Sequence, residues 1–202
     1  MKLEPINIFK FLEKKDNRPI PLVYKLLHDI PITDADLNVK RGLDLYGASI
    51  TSLPDNLRVR GELDLRHTKI TSLPDNLKVR GNLKLSDTKI TSLPDNLKVG
   101  GELDLKGTPI TKLPDNLEVG GHLFLDNSKI TSLPDNLQVS AGLFLTDTEI
   151  TSLPNNLQIG GSLTLTNTPL VKKYNGDQIR KMIEDAGGEI RGGIYRGLSF
   201  IG

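Results

Sequence analysis

The chain has 202 residues, 37% of them hydrophobic and 4% aromatic, with no Trp and no Cys. Leu, Ile and Val must therefore fill any core, and disulfides, thiolate metal sites and a cysteine nucleophile are excluded. Twenty-six Lys and Arg stand against 25 Asp and Glu, a net charge of +1, which excludes binding to nucleic acid or a membrane surface through bulk charge and leaves only local patches.

The first residues, Met1-Lys2-Leu3-Glu4-Pro5, place an acid and a proline where a secretory signal needs a continuous apolar core. No run approaches the roughly 18 apolar residues of a membrane span. A cytoplasmic location without a membrane partner is expected, with delivery into a host cell as the alternative. Residues 1–36 read as a helical N-terminal cap, in which Ile6, Ile8, Phe9, Phe11 and Leu12 cover the first coil and Leu22 to Leu27 form a second apolar stretch after Pro19 and Pro21.

From about residue 37 to 170 the chain repeats itself every 20 residues without insertion. Ile-Thr-Ser-Leu-Pro-Asp-Asn-Leu begins at Ile50, Ile70, Ile90 and Ile130, with near copies at Ile110 and Ile150. Paired leucines recur seven times, from Leu43/Leu45 to Leu163/Leu165. Apolar and polar residues alternate through Leu63-Asp64-Leu65, the period of a strand with one buried face. A 20-residue unit cannot bury that face alone, so the coils must stack with parallel strands about 4.8 Å apart, giving a rod or arc on the order of 30 Å long. The fold class is a mostly β repeat solenoid with small helical caps, one domain overall.

Within each unit, Leu53-Pro54-Asp55-Asn56 predicts a type I turn. Thr68, Thr88, Thr108, Ser128, Thr148 and Thr168 form a hydroxyl column expected to satisfy backbone groups of neighbouring coils. Gly61, Gly81, Gly101, Gly121 and Gly161 mark a tight corner. Arg41 and Ala141 share that register, which argues against an obligatory positive φ. The Gly-Gly pairs precede strands and do not open helices, so they are no phosphate loop.

The segment L-x-L-x-x-T-x-I-x-x-L-P, for instance Leu63 to Pro74, resembles the leucine-rich repeat family, most closely the short 20-residue bacterial class found in secreted effectors, with Thr where that family usually has Asn. The resemblance covers roughly residues 37 to 170. It implies parallel stacked strands and a binding role. Effectors of this class sometimes carry a cysteine-dependent ligase domain, for which this chain has neither cysteine nor room. The departure is Leu57-x-Val59-x-Gly61, which itself alternates like a strand. A second strand there gives the alternative fold, a straighter β-solenoid.

Residues 171–202 read as a C-terminal cap. Asp177 to Ala186 has helical spacing through Ile179, Met182 and Ile183 and is stopped by Gly187-Gly188. The tail from Glu189 to Arg196 alternates, as a strand or short hairpin on the last coil. Capping is its expected role, and homo-oligomer formation through it is the alternative.

The residue between the paired leucines must point outward. Down the stack these are Asp44, Asp64, Lys84, Asp104, Phe124, Phe144 and Thr164, flanked by Tyr46, Glu62, Glu102 and His122. A protein partner is expected on this face, at Asp44, Tyr46, Glu62, Asp64, Glu102, Asp104, His122, Phe124 and Phe144. Neighbouring exposed rings mark a partner surface, against the alternative of a ring pair that only strengthens cross-strand packing. The acids allow a second reading, a nucleic-acid mimic that inhibits a defence or nucleic-acid enzyme, as phage or mobile elements encode. A second stripe, Lys40, Arg58, Arg60, Lys78, Arg80 and Lys98, is expected to be a solvated face that offsets the acids and protects an edge. Nucleic-acid binding through phosphates is its alternative. Stacked Asp55, Asp75, Asp95, Asp115 and Asp135 suggest calcium, but one acid per coil without a bidentate Glu favours turn capping, so no metal and no cofactor are expected. His28, His67 and His122 are scattered and form no nucleophile constellation, so no catalytic residue is named and the chain is not read as an enzyme.

Overall fold

A computed structural model describes residues 19–197. The apolar cap residues Ile6 to Leu12 lie outside the described residues. Helix α1 (Leu22–Leu27) precedes sixteen two-residue strands that alternate between two sheets. One sheet holds β1 (Asn38–Val39), β3 (Arg58–Val59), β5 (Lys78–Val79), β7 (Lys98–Val99), β9 (Glu118–Val119), β11 (Gln138–Val139), β13 (Gln158–Ile159) and β15 (Glu189–Ile190). The other holds β2 (Leu43–Asp44), β4 (Leu63–Asp64), β6 (Leu83–Lys84), β8 (Leu103–Asp104), β10 (Leu123–Phe124), β12 (Leu143–Phe144), β14 (Leu163–Thr164) and β16 (Ile194–Tyr195). We call them the valine sheet and the leucine sheet.

All pairings are parallel and join equivalent positions of successive coils, such as Leu63 with Leu83 and Val59 with Val79. The second strand therefore exists, and the fold is the β-solenoid. Between the sheets runs one continuous core in which Leu63, Leu65, Ile70 and their equivalents in the middle coils are fully buried. With roughly 1.5–3 kcal/mol for each fully buried aliphatic side chain, this core is the main source of stability.

Most coils close through two backbone reversals of left-handed conformation, while the coil of Asn116 lacks the second. The first falls at Gly47, His67, Asp87, Gly107, Asn127, Asp147 and Asn167, all with φ between 57° and 66°. The second falls at Asn56, Asn76, Asn96, Asn136 and Asn156 of the Pro-Asp-Asn turns. Only Gly, Asn, Asp and His occupy these points, the types that tolerate positive φ at least cost. The corner glycines answer a different demand. None of them has positive φ, but a Cβ on Gly81 would lie 2.6 Å from the carbonyl carbon of Gly61. Close stacking of backbone on backbone selects glycine there.

The hydroxyl column serves its own coil. Thr68, Thr88, Thr108, Thr148 and Thr168 donate to the carbonyl three residues earlier at 2.7–2.9 Å. Neighbouring coils were expected to receive these bonds, but their carbonyls are already taken by the ladder, for example Leu65 N–H to Lys84 O at 2.9 Å.

At the N-terminal end Lys25, 6% exposed, donates to Asp36 at 2.8 Å. Burial raises the Asp36 carboxyl, but hydrogen bonds from Lys25 and from the Thr33 amide and hydroxyl outweigh it and hold the group below its usual value. At the other end helices α2 (Pro169–Lys173) and α3 (Gly176–Asp185) interrupt the period. Asn175 and Gln178 form a capping box at the start of α3, and Gly187, with φ 79°, follows its end. The tail is a shortened eighth coil and not a hairpin, since β15 and β16 add to different sheets, each parallel to its neighbour.

Arg180 of α3 closes the edge. Its guanidinium donates to Ile190 O at 2.9 Å and Gly192 O at 2.7 Å, two of the three carbonyls, with Gly188 O, that stand where Leu57, Val59 and Gly61 accept the ladder bonds of the next coil. Removing it leaves a strand edge open. Arg180→Ala is expected to lower stability by about 1.5–3 kcal/mol, the range for hydrogen bonds to charged groups, and to increase self-association in sedimentation velocity. Unchanged melting and unchanged sedimentation would contradict this role.

Candidate protein-binding face

The outer face of the leucine sheet carries three columns two residues apart. The middle one contains Asp44, Asp64, Lys84, Asp104, Phe124, Phe144 and Thr164 in direct strand register. Glu62, Asn82, Glu102, His122 and Gly142 precede it, and Tyr46, Arg66, Lys106 and Asp126 follow it.

In the first coils three of the five acids on this face have a cation beside them. Asp64, expected to point into solvent, is only 6% exposed. Arg66 covers it, with Nε to Oδ1 at 3.0 Å and Nη2 to Oδ2 at 2.6 Å, and its own amide donates to Oδ1 at 3.1 Å. Burial alone would raise the Asp64 carboxyl, but these bonds and the charges of Arg66 and Lys84 hold it below its ordinary value, while the Arg66 guanidinium is raised by the same contact. Lys84 pairs with Glu62 at 2.8 Å, and Lys106 approaches Asp104 at 3.9 Å. Among the described residues Asp44 and Glu102 have no ion pair. Asp44 instead accepts the Tyr46 amide at 3.0 Å, and the Glu102 amide donates to Asn82 Oδ1 at 2.9 Å. The face is therefore not the acid surface its aspartates suggest. Arg66 and Lys106 were missed in sequence, although an acid two residues before a base on one strand face, as in Asp64-x-Arg66 and Asp104-x-Lys106, is a readable signal.

Tyr46, 56% exposed, lies at the start of the face with Arg66 over its ring at 5.2 Å and the His67 ring edge-on at 5.1 Å. The later coils bring together His122, Phe124 and Phe144. The two phenylalanine rings stack at 4.7 Å with an interplanar angle of 18°, and His122 lies 5.6 Å from each. Lys106 Nζ covers the other side of Phe124 at 4.3 Å. Gly142 makes this arrangement fit: a Cβ there would stand 2.9 Å from a Phe144 ring carbon and 3.0 Å from His122 Nδ1. Its amide donates to His122 Nδ1 at 2.9 Å, which assigns the neutral ring's proton to Nε2. All three rings are half-buried, held by contacts beneath and open on their outer edges.

Lys40, Arg58, Arg60, Lys78, Arg80 and Lys98 lie on the far side of the core, on the outer face of the valine sheet, and all six are exposed. The turn aspartates stand apart from both faces, where Asp135 Oδ1 accepts the Asn155 amide of the next coil at 2.8 Å. His28 packs its ring on Tyr24 at 4.1 Å. No family model matches the chain, and no curated protein matches it.

The Asp64 pair has a pH signature. A carboxylate held below its ordinary value of 3.8 contributes stability that is present above that value and lost as pH falls through the lower one. Arg66→Ala removes the guanidinium bonds and their charge but keeps the residue-66 amide and Lys84, so the Asp64 midpoint, followed by carbon-detected NMR, is expected to rise from its lowered position. A midpoint that stays low would refute the assignment.

Proposed function

We propose that the protein is a non-catalytic interaction module that grips a protein partner with the outer face of its leucine sheet, through Phe124, Phe144 and His122. The observation that carries this reading is the stacked phenylalanine pair, with the histidine against both rings, on a face whose charges are otherwise largely paired. Half-buried rings with open edges are pre-ordered, so little side-chain entropy is left to lose on binding. Aromatic anchors of this kind dominate the energetics of protein interfaces.

The pair lies in the middle column, where other coils place Asp or Lys, so the scaffold does not need rings there. Beyond Phe144 the column drops to Thr164 before Tyr195, which is 59% exposed. That interval leaves room for a partner side chain beside Phe144. The likeness to short bacterial leucine-rich repeats, for which binding is the implied role, supports the same reading. The nucleic-acid-mimic alternative loses support, because Glu62, Asp64 and Asp104 each have a cation beside them.

The test is affinity capture of a partner by the parent chain and by a Phe124→Ala, Phe144→Ala double variant, with Lys129→Ala as control. Two such anchors are expected to cost at least about 2 kcal/mol of binding, roughly a thirty-fold weaker complex, while the circular dichroism melt of the variant stays cooperative. Capture that is unchanged in a folded double variant would sink the assignment of this face.

A further inference from the structure

Two uses were expected for the basic stripe, and the structure supports neither. Three of the five acids it was to offset, Asp64, Glu62 and Asp104, have cations of their own, Arg66, Lys84 and Lys106, on the leucine sheet. The edge it was to protect is elsewhere: β1 and β15 are the outer strands of the valine sheet, whereas Arg58, Lys78 and Lys98 lie in the interior strands β3, β5 and β7.

Their placement also costs stability. Arg58 pairs in register with Lys78, and Lys78 with Lys98, so like charges stand directly opposite each other on one sheet face, a destabilising arrangement. The fold does not require it. The same column continues as Glu118, Gln138 and Gln158, and Lys98 pairs with Glu118 where the sign changes. A second track two residues on carries Lys40, Arg60 and Arg80 and then becomes Gly100 and Gly120. Among the described residues, Lys40, Arg58, Arg60, Lys78 and Arg80 have no ion pair. A cleft of about 210 Å³ lies among Arg58, Arg60, Lys78 and Arg80, and a trough of about 910 Å³ continues from Lys78 and Arg80 over Gly100 and Gly120. The cations are thus gathered at one end of a concave surface whose lining also includes Asp95 and Glu118, and among the described residues none of the five has a carboxylate paired with it, so an external anion would relieve their repulsion.

We infer that this face binds the phosphate backbone of double-stranded nucleic acid, with Lys40, Arg58, Arg60, Lys78 and Arg80 meeting phosphates. The five cations lie on three coils, two intervals of about 4.8 Å, and give a row on the order of 10 Å, about three steps at roughly 3.4 Å of axial rise along one strand of a duplex. Neither track contains an aromatic side chain, and a single-strand binder needs rings on which bases stack. Among the described residues no helix or strand ribbon projects from this sheet to enter a groove and read base edges. Recognition is therefore through charge and without sequence preference. The site is independent of the phenylalanine pair, which faces the other way across the core.

The experiment is fluorescence anisotropy of a short mixed-sequence DNA duplex titrated with the full chain over a range of salt. Saturable binding at low salt is expected, equal for unrelated sequences, with log Kd against log salt changing by about 4.5, that is about 0.9 for each of five phosphates. An Arg58→Gln, Lys78→Gln variant, which uses the residue type already present at positions 138 and 158, should fold as the parent and lose about two from that slope. The Phe124→Ala, Phe144→Ala variant should bind the duplex unchanged, which separates this site from the protein-binding face. Three results would each overturn the proposal: no binding at low salt, a slope unaltered by the glutamine variant, or tighter binding of the corresponding single strand.

Discussion

Every coil has to return to its starting column after twenty residues while its backbone stays within hydrogen-bonding distance of the coil below, and the rest of the molecule follows from that closure. Closure requires the backbone to turn left-handed at fixed points, at a cost of roughly 1–2 kcal/mol for an ordinary side chain. Gly, Asn, Asp and His recur at those points for this reason, and His67, with φ 57°, owes its place to conformation and not to chemistry. The corner demands close approach instead, so glycine gathers there. Once both demands are met, the ladder brings equivalent residues into contact, and Leu63, Leu83, Leu103, Leu123, Leu143 and Leu163 become one buried column.

Stacking in register makes each position a column, so any property placed at one position is repeated at short range. For aliphatic side chains this builds the core. For charges it builds repulsion, and the leucine sheet limits it by mixing signs within and between columns, as Asp64 with Arg66 and Glu62 with Lys84 show. The valine sheet does the reverse over its first coils. The contrast between two faces of one solenoid, under the same ladder constraint, gives the basic row its meaning: charge balancing is available to this fold and is not used there.

Much of the architecture was legible in the sequence because it rests on periodicity. The strict spacing of Leu43/Leu45 through Leu163/Leu165 specified the leucine sheet, and the alternation through Leu57 and Val59 pointed to the valine sheet. The helix ending before Gly187 was legible from its apolar spacing and its stop. What periodicity could not show was contact between columns. The burial of Asp64 depends on Arg66, two residues away on the same face, and an outward-pointing residue between leucines gave no sign of it. The tail concealed an eighth coil because Gln158 pairs with Glu189 and not with the residue twenty on. The part played by Arg180 was hidden further, since a side chain of a helix outside the repeat meets the carbonyls of the valine sheet.

In the ring cluster, departures from the repeat occur together. Coil by coil, His122 replaces Glu or Asn, Phe124 and Phe144 replace Asp, Lys or Thr, and glycine stands at position 142 next to Ala141, as Gly42 stands next to Arg41 in the first coil. Each change alone would be ordinary variation. Together they fit one another: with any other residue at Gly142 a Cβ would meet both the Phe144 ring and His122 Nδ1. In a solenoid, stability is close to a sum of terms between neighbouring coils, so a local departure is not forced on the rest of the molecule and is not required by it. The rings and the histidine are confined to two adjacent coils, on an outward face where other coils place Asp, Lys or Thr, so their placement is a local departure that the framework tolerates and does not impose.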